Sequence, residues 1–563
     1  MKGKDWHYRV LFLALLASFF MYNIGKLYGF EMFPDEFGYW SYAAKLSGYD
    51  WSNVVSLGSY YSFGYSIILY PIFKLITDSV IAYRMAVGLN FLFLAISFLL
   101  LTRLSKKLIN TPEKNSIEFY VMIAITYPAW LYYARTTMTE TIVMLLYIII
   151  CMLTYQYLKE ANIRILLALV VANTYIYTVH MRTVGIVIAN LIVILIYQGR
   201  RICTKDRKNV QRILYGFVIA TIMSLVMLLT ITQIKKYISV NLYASNEIFV
   251  RNDYKGQIDK VKGLFTLQGF YNLLVSINGK VLYLGLASFG LFYHGVAFAV
   301  KKVIQQKNLF YFFILLATVG EIAITSIYIS GVGSRIDGLT YGRYNEQILP
   351  IFMVLGCVAI TREKHVWKNT AKLLCMQIPM MGILLYVINQ YHVTNMHVYM
   401  SLGISYLYDA QHFEPIRFHI EALGMGILLT VLVTAVVYNE YKRCQKWLLL
   451  CVVLMQILLA MRLVQTVSGE CQLAAFRDVQ LADFIQEKQK ENIQIVYLKQ
   501  EEQSYIDSIQ FRIRDAKIII KEDSSQLTQD DFVVTDFNNI KIEELKENYT
   551  YWRTMGHLAI FYN

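Results

Sequence analysis

Long apolar runs alternate with short basic stretches along most of the chain. A run of roughly 20 apolar residues crosses a bilayer core. By that measure the pattern predicts spans near 8–29, 80–101, 117–134, 141–158, 164–179, 184–199, 213–233, 282–300, 309–329, 347–361, 371–390, 421–438 and 446–466. That makes about 13 transmembrane helices. The first run follows MKGKDWHYR, is too long for a signal-peptide core and lacks a small-residue cleavage site, so it reads as a retained helix. Only VHMRT separates the runs near 164–179 and 184–199, and one kinked segment is the alternative there.

Three intervals between spans are long: about 30–79, 234–281 and 391–420. In the first, EFGYWSYAAKL has helical aromatic spacing and predicts a short interfacial helix with its aromatic face toward lipid. After about residue 467 the pattern turns soluble. LADFIQEKQKEN predicts a helix, and IQIVYL, AKIIIKE, DFVVTDF and GHLAIFYN predict strands. The expected organisation is a polytopic α-helical membrane domain, 1–466, followed by a small extracytoplasmic α/β domain, 467–563.

Composition agrees. Of 563 residues 56% are hydrophobic and only 16% charged, with a mean hydropathy of +0.43; a soluble protein carries roughly 25% charged residues. The net charge of +14 raises the question of nucleic acid, but its distribution excludes that reading. Basic residues sit in TRLSKKLINTPEKN, QGRRICTKDRKNVQR, KKVIQQKN, TREKHVWKNTAK and YKRCQK, which fall on one side if the N-terminus is cytoplasmic. About 25 Lys and Arg lie in short loops on that side against about 7 on the other, the positive-inside pattern. Of the seven cysteines only Cys471 falls outside by this topology, which leaves no extracytoplasmic disulfide within the chain, and no spacing suggests zinc.

Charged residues at a membrane boundary are informative when they converge. On the outer side stand Asp35 and Glu36 after the first helix, Arg135 and Glu140 in YYARTTMTETIVML, His180 and Arg182 in VHMRTVG, and Arg343 in YGRYNEQILP. Three carboxylates and three arginines suggest a mixed-charge cleft in which guanidinium groups hold an anion beside a carboxylate base. Plainer roles stay open for each: a solvated helix start for Asp35 and Glu36, a macrodipole acid for Glu140, interfacial anchors for Arg182 and Arg343. The histidines His392, His397, His412 and His419 lack ligand spacing.

Five elements in order, PDEFGYW, FGYSIILYPIF, YARTTMTETIVMLL, MRTVGIVI and GRYNEQILP, resemble the GT-C glycosyltransferases. The nearest likeness is to the branch of the protein O-mannosyltransferases and bacterial lipid A aminoarabinose transferases. The resemblance covers much of the membrane part to about residue 361. It implies transfer of a sugar from a polyprenyl-phosphate carrier to an envelope acceptor (polymer, lipid or protein) at the outer membrane face. Asp35 matches the family's first acid and would be the base. Glu36 and Glu140 match the other acids, which bind a divalent cation (Mg or Mn) or position the acceptor. Arg182 and Arg343, with Arg135, would hold the lipid phosphate. Glu140 departs from the pattern by one methylene, since Asp is often found there.

Displacing a phosphate from an anomeric carbon needs a base for the incoming hydroxyl and positive charge for the leaving group, and a single displacement inverts the centre. No glycine-rich phosphate motif serves a nucleotide sugar. Abundant Ile, Lys, Asn and Tyr point to an AT-rich bacterial genome and hence to undecaprenyl phosphate in a plasma membrane. The alternatives are a polysaccharide polymerase or ligase, and a lipid-linked-saccharide transporter. A transporter would place its charges near mid-membrane and often show inverted repeats, which are not evident here.

Overall fold

The computed structural model describes residues 4–58, 60–109, 116–204, 207–243, 260–329, 336–443, 445–489, 493–499 and 505–563. Much of the second long interval, 244–259, and Cys444 lie outside the described residues.

Among the described residues, nine helical stretches are long and apolar enough to cross a membrane, from Trp6–Lys26 to Trp447–Lys488. Leu267–Ala287 and Leu291–Gln306 are together long and apolar enough for a tenth, but they are bent by 107°, the geometry of a broken span or a re-entrant loop. The bend falls where Gly290 adopts φ 75°, a left-handed conformation that favours glycine. The expectation of about 13 spans differs because apolar runs are of two kinds. The runs near 117–134, 164–179 and 347–361 are helical but short: Ile117–Ile125 with Pro128–Tyr133, Ile163–Val179, and Leu349–Arg362. Pro128 opens the second piece of the first, at a helix start where its missing N–H needs no partner. The first and third are buried almost throughout, so their hydrophobicity serves the protein core rather than lipid.

The interval 30–79 folds into the helices Asp35–Leu46, Ser52–Val55 and Gly64–Leu75. The aromatic face of Asp35–Leu46 does not face lipid. Phe37 stacks on Trp51 at 5.1 Å, and Trp40 packs against Phe73 and Phe511 at 6.0 and 5.1 Å. The C-terminal domain covers this face, which removes the reason for a lipid contact. Trp51 Nε1 donates to the Arg514 carbonyl at 2.9 Å, and Asn53 Nδ2 to that of Ile518 at 2.9 Å. Arg514 donates to the carbonyls of Phe73 and Ile76 at 2.6 and 2.8 Å.

The chain enters that domain without a break in helix. Trp447–Leu463 runs through a wider turn, Val464–Ser468, into Gly469–Lys488, so the passage near 466 lies inside one helical stretch. The domain holds a five-stranded sheet of β1 (Gln494–Leu498), β2 (Lys517–Lys521), β3 (Val533–Asp536), β4 (Tyr551–Met555) and β5 (Leu558–Tyr562). The order is β2-β1-β3-β5-β4, with β1 parallel to β2 and β3, and β5 antiparallel to β3 and β4. The edge strand β4 was not among the expected strands. Its residues are exposed almost throughout, so no alternation of apolar and polar positions marks it.

Candidate active site

Four helix-terminal segments meet at one end of the bundle: the start of Asp35–Leu46, the start of Glu140–Glu160, the turn Met181–Thr183 and the loop before Leu349–Arg362. Arg343 joins them. Its Nη1 donates to Asp35 Oδ2 at 2.7 Å and its Nε to Glu140 Oε1 at 2.8 Å. The same Glu140 oxygen accepts from Arg182 Nη1 and Nη2 at 3.4 and 3.3 Å. Arg182 also lies over the Tyr344 ring, 4.2 Å from its centroid. Burial opposes the Arg343 charge, but the carboxylates of Glu140 and Asp35 hold its pKa well above the ordinary value.

The two acids of the network differ in access. Arg343 and Glu140 side chains are 1% exposed, whereas Asp35 is 21% exposed and lines a cleft of about 400 Å³. Arg182, His180, Tyr61 and Tyr344 line the same cleft. Arg343 lies behind Asp35 and is not part of the cleft wall. The direct phosphate contact expected of it is therefore absent from this arrangement, and Arg182 is the guanidinium that faces the open space.

Glu36 and Arg135 are not brought to the cleft. Glu36 is fully buried, and five donors occupy its two oxygens: the Glu31 and Met32 amides at 2.7 and 3.0 Å, Tyr83 at 3.0 Å, and the Thr137 amide and hydroxyl at 2.6 and 2.7 Å. Burial raises its pKa, with the Glu31, Thr137 and Met32 hydrogen bonds working against that shift. Glu36 ties the helix of Asp35 to the turn that leads into Glu140, which is a positioning task. Successive helical residues point about 100° apart, so two adjacent acids cannot share one direction. Arg135 is buried and donates to the Tyr22 carbonyl at 2.7 Å.

These contacts bear on the divalent cation. Glu36 has no lone pair left for a metal; Glu140 Oε1 is taken by two guanidinium groups, while its buried Oε2 has no hydrogen-bond partner and would be the one oxygen left for a cation. Among the described residues no group of three or more His, Cys, Asp or Glu side chains is arranged to hold an ion. Glu36 and Glu140 as a metal-binding pair do not fit this donor set, and no step below runs through a cation.

Tyr61, absent from the expected set, donates to Asp35 Oδ1 at 2.6 Å. Burial and then the Asp35 charge raise its pKa, so the phenol stays a donor. Gly38 makes room for it: a Cβ there would lie 2.0 Å from the Tyr61 ring. His180 accepts from the Arg182 amide through Nδ1 at 3.4 Å. Burial, then the Arg182 and Arg343 charges, lower its pKa well below 6.5 and keep it neutral. Glu346, three residues after Arg343, accepts from Tyr127 at 2.6 Å, Tyr133 at 2.7 Å and Tyr283, which anchors the loop. The signal for Tyr61 lay in SYYSFGY, but 44 tyrosines in the chain hide any single one.

This helical architecture, with its C-terminal mixed sheet, is a fold shared over the whole chain with solved structures. In particular it is similar to ArnT from Cupriavidus metallidurans, a lipid A aminoarabinose transferase, in the apo state, with a TM-score of 0.54 and 13% identity over 100% of this chain and 98% of that one. The structure of that ArnT bound to undecaprenyl phosphate matches with a TM-score of 0.57 and 12% identity, over 99% of this chain and 98% of that one. At such identity the likeness is one of fold. No protein-family model and no curated protein sequence matches the chain.

Proposed function

We propose that this protein is a glycosyltransferase that moves a sugar from a polyprenyl-phosphate carrier, undecaprenyl phosphate in a bacterial plasma membrane, to a hydroxyl of an envelope acceptor. The observation that carries the reading is the Asp35–Arg343–Glu140–Arg182 network on an ArnT-like fold, with its terminal carboxylate, Asp35, and its terminal guanidinium, Arg182, open to the cleft. The positive-inside bias supports an extracytoplasmic cleft and C-terminal domain.

On this reading Asp35 takes the proton of the acceptor hydroxyl as that oxygen bonds to the anomeric carbon from the face opposite the phosphate. The bond from that carbon to the phosphate oxygen breaks, the electron pair stays on the phosphate, and the configuration inverts. Arg182 meets the growing charge on the leaving phosphate. Arg343 and Tyr61 hold Asp35 in place, and Glu140 holds the two guanidinium groups together.

Arg182→Gln tests this directly. Losing a charge-assisted bond to the leaving group raises the barrier by about 2.7–4 kcal/mol, roughly 10²–10³-fold in kcat. Turnover of undecaprenyl-phosphate-linked pentoses and hexoses by folded Arg182→Gln at the wild-type rate would overturn the assignment.

A further inference from the structure

Helix Leu349–Arg362 starts just after the active-site loop, and its 14 residues carry the chain about 21 Å, at 1.5 Å per residue, to the other end of the bundle. There a second cavity, of about 510 Å³, opens beside its last residue. Four cations, Lys301, Lys302, Arg362 and Lys372, line it against one carboxylate, Glu363. Among the described residues Lys301, Lys302 and Lys372 form no ion pair. Lys302 and Arg362 both lie over the ring of Phe298, 5.4 and 5.7 Å from its centroid. Four like charges in one concavity repel each other, and an anion relieves that repulsion.

The surroundings say which kind of anion. The helices that line the cavity also carry, outside its wall, apolar side chains that the protein leaves bare: Val300 and Ile304, one turn apart on the helix of Lys301 and Lys302, are 38% and 72% exposed. Trp367, at the start of the helix that carries Lys372, is 45% exposed. An exposed Trp between basic residues and apolar helix faces marks the headgroup level of a bilayer. A soluble anion would use the cations but not this apolar border. An anionic phospholipid would use both, with its phosphodiester among the cations and its acyl chains along the bare apolar surface of the helices that carry them. We infer that this cavity is a binding site for the headgroup of an anionic phospholipid. The site is separate from the proposed donor cleft and does not depend on the function assigned to that cleft.

The test uses the purified full-length protein exchanged into mixed phosphatidylglycerol and phosphatidylcholine, with retained lipid counted by native mass spectrometry. The wild type is expected to retain phosphatidylglycerol preferentially. Lys302→Gln with Arg362→Gln should lower that retention about tenfold or more, as loss of two cations at a lipid phosphate implies. Arg200→Gln with Arg201→Gln, the same charge change in another basic cavity, should leave most of it. Inorganic phosphate at millimolar concentration should not displace the lipid. If the double variant unfolds, Lys372→Gln alone should give a severalfold loss with an unchanged melting temperature. Equal retention by wild type and the cavity variants, equal loss in the Arg200/Arg201 variant, or displacement by inorganic phosphate would each overturn the assignment.

Discussion

Asp35→Asn separates the chemistry of the cleft from its architecture. The carboxylate accepts from Tyr61 at 2.6 Å and from Arg343 at 2.7 Å, and its side chain is 21% exposed. Asparagine keeps the acceptor for Tyr61 but turns an amide N–H₂ toward the guanidinium, so one charge-assisted bond is lost. Such a bond contributes about 1.5–3 kcal/mol. The partial exposure lets water take its place, and Glu140 still balances Arg343 at 2.8 Å, so the loss falls near the lower end. The fold therefore survives. The chemical step should suffer far more: removing a general base costs about 10²–10⁴-fold in rate, roughly 2.7–5.4 kcal/mol of barrier. The assay is single-turnover consumption of undecaprenyl-phosphate-linked sugars by protein in nanodiscs, with undecaprenyl phosphate affinity and melting temperature measured in parallel. A rate within about threefold of wild type, at unchanged melting temperature, would refute the assignment of Asp35 as base.

Glu140→Gln removes the anion between two buried guanidinium groups, and breaking such a pair costs about 3–5 kcal/mol, so this variant should lose both stability and activity. Unchanged thermal stability would show that Glu140 does not hold the arginines. Glu36→Gln sets an amide donor against the Thr137 N–H and should cost about 1–3 kcal/mol of stability while leaving kcat per folded molecule near wild type. A loss of kcat without a loss of stability would instead return Glu36 to the chemistry. Burial, with the charges of Arg182 and Arg343, keeps His180 well below 6.5, so as pH falls below 6.5 the unfolded chain binds a proton that the folded chain refuses, and stability falls. Melting temperatures of wild type and His180→Gln should converge on acidification, and parallel curves would contradict this.

The apolar runs were legible because each one became a helix; their length and destination were not. Hydropathy sees that Ile117–Ile125 is apolar but not that neighbouring helices bury every residue of it. Charged residues at helix ends stand out against apolar sequence, and that contrast led to Asp35, Glu140, Arg182 and Arg343. Direction does not appear in the sequence in the same way. Arg343 and Arg182 look alike as letters, yet one is enclosed behind Asp35 while the other lines the cleft. Glu36 and Asp35 are neighbours with opposite fates, because the turn 31–32 and Thr137 present their donors on one side of the helix only. Tyr61 and the exposed strand β4 were missed for lack of contrast, in composition for the first and in periodicity for the second.

The network also explains why an acid and a guanidinium should be bonded to each other before any substrate arrives. On the proposed reaction the donor phosphodiester carries one negative charge and Asp35 another. After transfer Asp35 is protonated and neutral, and the carrier phosphate, now a monoester, can carry two. Total charge is conserved, but one unit has moved from the carboxylate to the phosphate. The pair Arg182 and Arg343, bridged through a single Glu140 oxygen, spans that path. As Asp35 takes its proton, Arg343 loses its strongest claim on that carboxylate, and the positive charge of the pair becomes available to the phosphate. Glu140 is the fixed point of this exchange: at 1% exposure it stays an anion between two cations while charge shifts on either side of it. A leaving group stabilised in this way is favoured more in the transition state than in the ground state, which is what speeds the chemical step.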